Sequence, residues 1–276
     1  MEYKGWLIYR KEDAEKNSAF IDWLQTEAEL LGMKIELVIY HELTYGIRDG
    51  HLFIDWKDKD KPDFVIMRAI DPLLSQQFEL QGIRVFNDSR VAAIANDKAQ
   101  THQLFATRGI PMVDTQFINK NELEKHTFRF PIIIKAVNGR SGNQVHMLYS
   151  LEDLPSLTSE RYIVQSLATP GKDLRVFVMG GKVIGSVLRE SNIDFRANYT
   201  LGGKAEWYRL SPSEHELVHK ILTILPADFA GIDFVFNEKG GLLLNEIEDI
   251  VGSRTLTRLT DINVAKLYLE HILKSY

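Results

Sequence analysis

Gly231-Ile232-Asp233-Phe234-Val235-Phe236-Asn237-Glu238-Lys239-Gly240-Gly241-Leu242-Leu243-Leu244-Asn245-Glu246-Ile247-Glu248 reads as two apolar strands joined by a tight turn. With the turn centred on Lys239-Gly240, Asp233 falls opposite Glu246 across the ladder. Glu246 and Glu248 share a face because strand side chains alternate. Three acids therefore converge on one side of an otherwise apolar hairpin. Like charges placed opposite each other destabilise a sheet, so a cation is expected there. Hard oxygen ligands of this kind suit magnesium, which binds through one or two carboxylates plus nucleotide phosphates. Salt bridges to nearby arginines would serve the same electrostatic need.

Cations are available upstream. Pro131-Ile132-Ile133-Ile134-Lys135 is an apolar run ending in a lysine, a residue seldom buried without a partner. Asn138-Gly139-Arg140-Ser141-Gly142-Asn143 follows, a glycine loop able to fold over phosphates and equally able to be a plain hairpin turn. Lys98 stands after Asn96-Asp97. Arg175, Arg189 and Arg196 crowd the hairpin that Gly180-Gly181 closes; arginine suits bidentate contacts with phosphate or carboxylate.

Strand and helix patterns alternate up to about residue 90: strands at Trp6–Tyr9, Ile35–Tyr40, Phe64–Met67 and Arg84–Phe86, and helices at Asn17–Leu31 and Pro72–Leu80. This predicts a small α/β domain over 1–90. A helical stretch from a cap at Asn87-Asp88-Ser89 to Gly109, strands near 131–135, 144–148 and 162–165, and a capped helix over Ser150–Leu157 predict an α+β unit over 91–166. The remainder, 167–276, holds two hairpins, an amphipathic helix over Pro212–Leu225 and a terminal helix over Asn263–Leu273.

The chain has 276 residues, a formal net charge of −5 and no cysteine. Thiol chemistry, disulfides and Cys-ligated zinc are excluded. Basic residues are scattered among acids, which argues against nucleic acid as a partner. The N-terminus lacks a signal-peptide pattern, and no apolar stretch approaches the roughly 20 residues that span a bilayer; a cytoplasmic location without membrane attachment is expected.

The order of these pieces resembles the ATP-grasp superfamily, specifically the RimK-like α-L-glutamate ligases. The likeness is carried by Asp97-Lys98 with its helix, by Pro131–Lys135 with the glycine loop, and by Asp173-Leu174-Arg175-Val176-Phe177-Val178-Met179-Gly180. Asp194-Phe195-Arg196-Ala197-Asn198 with Gly202-Gly203, and Ala230-Gly231-Ile232-Asp233, extend it. The resemblance implies a mixed α/β and α+β fold: an ATP-grasp preceded by a small N-terminal α/β domain. It implies ATP and Mg2+ as cofactors, with Mn2+ as an alternative ion, and an amino-acid or peptide substrate; a homo-oligomer is left open. Lys98 and Lys135 would contact ATP, and the strand end Gln165-Ser166-Leu167 would hold adenine by its backbone. Asp173, Arg175 and Asn198 would belong to the nucleotide site, Arg189 and Arg196 to catalysis, and Asp233, Glu246 and Glu248 to the metal. The expected activity joins a carboxylate to an amine through an acylphosphate. Two departures stand out. Glu248 replaces the asparagine of the family's Glu-x-Asn motif, and Asp249-Ile250-Val251-Gly252-Ser253-Arg254 replaces its Ser-Pro-Gly turn. Arg254, beside a glycine, is the candidate holder of an acceptor carboxylate.

Three other readings compete: a dipeptide or natural-product ligase of the same fold, a nucleotide-binding protein without turnover, and a zinc protease. The last rests on His215-Glu216-Leu217-Val218-His219, an H-E-x-x-H pattern. Its histidines fall on the polar side of the helix, away from Val218, Ile221 and Leu222, so a solvated face is expected.

Overall fold

Four short apolar segments assemble the first sheet. In a computed structural model describing residues 3–56, 59–140, 144–191, 194–195 and 204–276, β1 (Tyr3–Tyr9) is followed by α1 (Lys11–Lys16), α2 (Ser18–Leu30) and β2 (Met33–Ile39). A small hairpin, β3 (Thr44–Arg48) and β4 (His51–Asp55), intervenes before β5 (Phe64–Met67), α3 (Pro72–Leu80) and β6 (Arg84–Phe86). The sheet order is β2-β1-β5-β6, with all pairs parallel. Phe64, Val65, Ile66 and Met67 are all buried, the mark of a parallel strand covered on both faces.

The stretch expected as one helix to Gly109 is two: α4 (Ser89–Ala95) and α5 (Lys98–Ala106). Asp97 causes the break, since its carboxylate accepts from Gln100 N at 2.9 Å and caps the second helix. Lys98 thereby opens α5. An antiparallel sheet follows, built from β7 (Thr115–Asn119), β8 (Ile132–Ala136), β9 (Val145–Leu148) and β10 (Arg161–Ser166) in the order β7-β10-β8-β9. The helix expected over 150–157 is a single 3-10 turn, Leu151–Asp153, capped by Ser150 and Asp153. Pro155 ends it, because the residue before a proline is driven out of the helical region.

The third sheet contains β11 (Lys172–Met179), β12 (Lys182–Glu190), β13 (Lys204–Trp207), β14 (Phe229–Phe236) and β15 (Leu242–Glu248), ordered β13-β12-β11-β14-β15 and antiparallel. Helix α6 (Pro212–Ile224) packs Val218, Ile221 and Leu222 onto this sheet. The chain closes with α7 (Arg254–Leu259) and α8 (Val264–Leu273). Helix α8 buries Val264, Ala265, Tyr268, Leu269 and Ile272 in one core with Ile21, Leu24 and Ala28 of α2 and with Phe177 and Phe229. The terminal helix thus ties the first sheet to the third.

Asn87 makes a second tie. Its buried amide donates to Phe229 O at 2.7 Å and Asp249 O at 2.9 Å, and accepts from Asp228 N and Phe229 N at 2.6 and 3.0 Å. One side chain therefore grips both open ends of the β14–β15 hairpin.

Candidate active site

A cleft lies between the second sheet and the third. Lys98, Lys135, Arg140 and Lys172 line it, and the first two reach its inner end. Lys98, at the start of α5, donates to Gly139 O at 2.8 Å and pairs with Glu246 Oε2 at 3.0 Å. Lys135, on β8, donates to Asn245 Oδ1 at 2.6 Å. Enclosure by protein pushes the Lys135 ammonium down to about 8. Ile133, Val145, Val113 and Val235 supply apolar walls, and Gln165, Ser166 and Leu167 line one end. Such a cleft, apolar on its sides with a few convergent charges, suits a small ligand.

At the inner end, Asp233 pairs with Glu246 across the hairpin. Asp233, Glu246 and Glu248 each bring one oxygen within 4.8 Å of the others. Two arginines already attend them. Arg175 donates Nε to Asp233 Oδ1 at 2.7 Å, and Nη2 to Asp233 Oδ2 at 2.6 Å and to Glu248 Oε1 at 2.7 Å. Arg189 bonds both oxygens of Asp173, at 2.5 and 3.0 Å, and Asp233 Oδ2 at 2.9 Å. Burial alone would raise the Asp233 carboxyl, but Arg175 and Arg189 outweigh it and hold the group below its ordinary range. The expected offsetting cations are therefore arginines in part. Hard oxygens at this spacing also fit magnesium. Glu248, with a side chain 35% exposed, and Glu246, at 28%, remain open to the cleft side, whereas Asp233 is at 3%.

A register shift between Asp233 and Phe234 inserts one extra residue in β15: Phe234 pairs with Leu244 while Asp233 pairs with Glu246. Asn245 is the residue left over. Successive strand side chains normally face opposite ways, yet Asn245 meets Lys135 and Glu246 meets Lys98. The bulge brings both to the site.

Gln165 is buried and donates to Thr115 Oγ1 at 2.9 Å, with its amide 3.4 Å from His102 Nε2. Burial pushes the His102 imidazole down to about 4, so it is neutral at pH 7. Asp173 sits beneath the cleft on Arg189. Arg196 and Asn198 lie outside the described residues, as does 141–143 of the glycine loop. Arg254 is not brought to the site. It begins α7 and donates to Lys16 O at 2.9 Å and Asn17 Oδ1 at 3.4 Å, capping the end of α1. Its expected acceptor role therefore has no support in this position. His215, Glu216 and His219 are exposed on α6, and no three-ligand group includes them among the described residues.

A second cleft adjoins the first and shares Lys98, Gly139, Arg140 and Glu246 with it. Its other wall is the carboxyl edge of the first sheet, with Arg10, Asp13 and Arg68. Sequence reading missed these residues, as it missed Asn245 and His102. No local motif marks them, because each acquires its neighbours only through the meeting of separate sheets.

The family model for the RimK-like ATP-grasp domain matches residues 95–272. An uncharacterized protein of Mycoplasma pneumoniae is 28% identical over 287 residues, covering 99% of this chain and 93% of that protein. A "Probable alpha-L-glutamate ligase" of Parasynechococcus marenigrum is 31% identical over 212 residues, 72% of this chain and 45% of the relative. Among solved structures, the ATP-grasp ligase PsnB complexed with minimal precursor matches with a TM-score of 0.73 at 17% identity, over 99% of both chains. At that identity the likeness is one of fold, and the fold is the expected one. No helix among the described residues is long and apolar enough to cross a membrane.

Proposed function

This chain belongs to the RimK-like ATP-grasp family and is a carboxylate–amine ligase, and from that premise we propose that it spends ATP to form an amide between an amino acid and a peptide or small-molecule carboxylate. The observation that carries this reading is the meeting of Lys98 and Lys135 with Asp233 and Glu246 in one apolar-walled cleft, with Glu248 beside them in the adjoining cleft. Lysines would hold nucleotide phosphates and the backbone of Gln165–Leu167 the base.

A donor carboxylate oxygen attacks the γ-phosphorus, the bond to the bridging oxygen breaks, and ADP leaves. The amine nitrogen then attacks the acyl carbon. The bond from that carbon to the phosphate oxygen breaks, inorganic phosphate leaves and the nitrogen sheds a proton. Magnesium, held by Asp233, Glu246 and Glu248, would supply charge neutralisation at the phosphates. Arg189, buried between Asp173 and Asp233, would add fixed positive charge from behind these carboxylates as charge develops. Arg175 keeps Asp233 ionised. Units 91–166 and 167–276 would clasp the nucleotide, and unit 1–90 would face the second substrate.

Phosphate release from ATP, measured over an amino-acid and peptide library with mass spectrometry of the products, tests the reading. An amide product formed with stoichiometric phosphate supports it. ATP binding without phosphate release under any combination would favour a nucleotide-binding protein without turnover.

A further inference from the structure

In the first sheet β1 and β5 lie side by side, but their connections leave in opposite directions, β1 toward β2 and β5 toward β6. Ligands of open parallel sheets bind outside the carboxyl ends of the strands, at such a switch point. The residue after the last of β1 is Arg10 and the residue after the last of β5 is Arg68. Both line the second cleft, which runs from this edge to Glu248 and Lys98 of the ligase site.

Arg68 is 8% exposed. Its guanidinium bonds only neutral partners among the described residues, donating Nε to Tyr9 Oη at 3.2 Å and Nη2 to Val251 O at 3.0 Å. The buried Asp249 lies near enough to feel the charge of Arg68 and Arg140 but accepts no hydrogen bond from Arg68 among the described residues, so the guanidinium gains from a directly bonded anion. Arg10 is stacked on the Tyr40 ring at 4.5 Å, and the Tyr40 hydroxyl donates to Asp71 at 2.7 Å, so Arg10 is steadied without being neutralised. Arg140 reaches the same cleft from the second sheet.

From this geometry we propose that the switch point holds the free carboxylate of the amine substrate, which is therefore an amino acid or a peptide terminus carrying both groups. This rests on the ligase reading. A planar fork suits a carboxylate. Asp13, Glu246, Glu248 and Asp249 line the same cleft; they repel a multiply charged phosphate and accommodate an ammonium. Arg10 and Arg68 lie outside the matched family domain, which begins at residue 95, whereas Arg140 and Glu248 lie inside it.

The test uses the full-length protein with ATP and magnesium and reads phosphate release for matched pairs of amines, each amino acid against its amide. The acid is expected to exceed its amide by 100-fold or more in kcat/KM. Arg10→Ala is expected to raise KM for the acid at least tenfold, to shrink the acid-to-amide ratio, and to leave ATP affinity by calorimetry unchanged; Arg10→Lys should restore part of the ratio. Equal turnover of acid and amide by the wild type, or a ratio that Arg10→Ala leaves intact, would overturn the site while leaving the ligase reading standing. If no amine supports phosphate release, the ligase reading falls and this site falls with it.

Discussion

Arg175 grips Asp233 with two parallel hydrogen bonds, 2.7 and 2.6 Å long, from the strand directly beside it. The pair is buried, and Arg189 adds a third contact to the same carboxylate. Asp233 is thus both a candidate metal ligand and the counter-charge of two arginines, and its two roles separate experimentally.

Asp233→Asn and Glu246→Gln are both expected to abolish turnover, but to differ in stability. Breaking a buried ion pair by removing one partner costs about 3–5 kcal/mol, so Asp233→Asn should lower the denaturant midpoint clearly. Glu246 pairs with Lys98 at a more open position, and Glu246→Gln should cost less stability than Asp233→Asn. Urea titrations of the two variants check this; equal stability loss would mean that the arginines do not depend on Asp233.

Lys135 is expected to make nucleotide binding pH-dependent. Its folded value, about 8, is depressed from 10.5. The ammonium attracts phosphate below that value and loses its charge above it, so ATP affinity should fall as pH rises through 8, with bound phosphates moving the midpoint upward. Between 8 and 10.5 the unfolded chain binds the extra proton, so the stability of the free protein gains with pH over the same window. Lys135→Ala should weaken ATP about tenfold or more, since a charged hydrogen bond is worth roughly 1.5–3 kcal/mol, and Lys135→Arg should remove the pH dependence. Calorimetry from pH 7 to 9.5 reads both.

The pairing of Asp233 with Glu246 was expected from a turn centred on Lys239-Gly240, but the pairs beside the turn, Phe236 with Leu242 through Phe234 with Leu244, sit one residue off that register, and only the bulge brings Glu246 opposite Asp233. The bulge at Asn245 was not legible, since an extra residue leaves the apolar pattern of the strand unchanged. Asn87 illustrates a different limit. Read as part of a helix cap, it is a long-range tie, while its neighbour Asp88 does the capping by accepting from Val91 N at 2.7 Å. The hairpin of β3 and β4 was missed although Asp49-Gly50 signals its turn, because Arg48 and His51 interrupt the apolar alternation.

His102 is expected to set part of the acid limit of stability. Its folded value of about 4 lies below the unfolded 6.5. Stability is full above 6.5 and is lost as pH falls toward 4, because the unfolded chain takes up a proton that the buried ring refuses. The loss amounts to roughly 3 kcal/mol, and His102→Gln should flatten the decline. Thermal midpoints between pH 7 and 4 measure it; parallel curves for the two proteins would assign acid sensitivity elsewhere.

Asn87→Ala removes four hydrogen bonds and leaves buried backbone groups of Phe229 and Asp249 unpaired. With each such group costing about 1–3 kcal/mol, the variant should lose at least ~3 kcal/mol. Arg254→Ala, which frees only the end of α1, should lose less than about 1 kcal/mol and leave each KM within about twofold. Chemical denaturation and steady-state kinetics distinguish them; a large rise in one substrate's KM for Arg254→Ala would return that residue to the site.

The direct test of carboxylate activation follows oxygen. With the donor carboxylate labelled with oxygen-18 and ATP unlabelled, one labelled oxygen is expected in each inorganic phosphate released, because the carboxylate oxygen that attacks the γ-phosphorus leaves with it. Phosphate free of label, or release of AMP with pyrophosphate, would contradict an acylphosphate route.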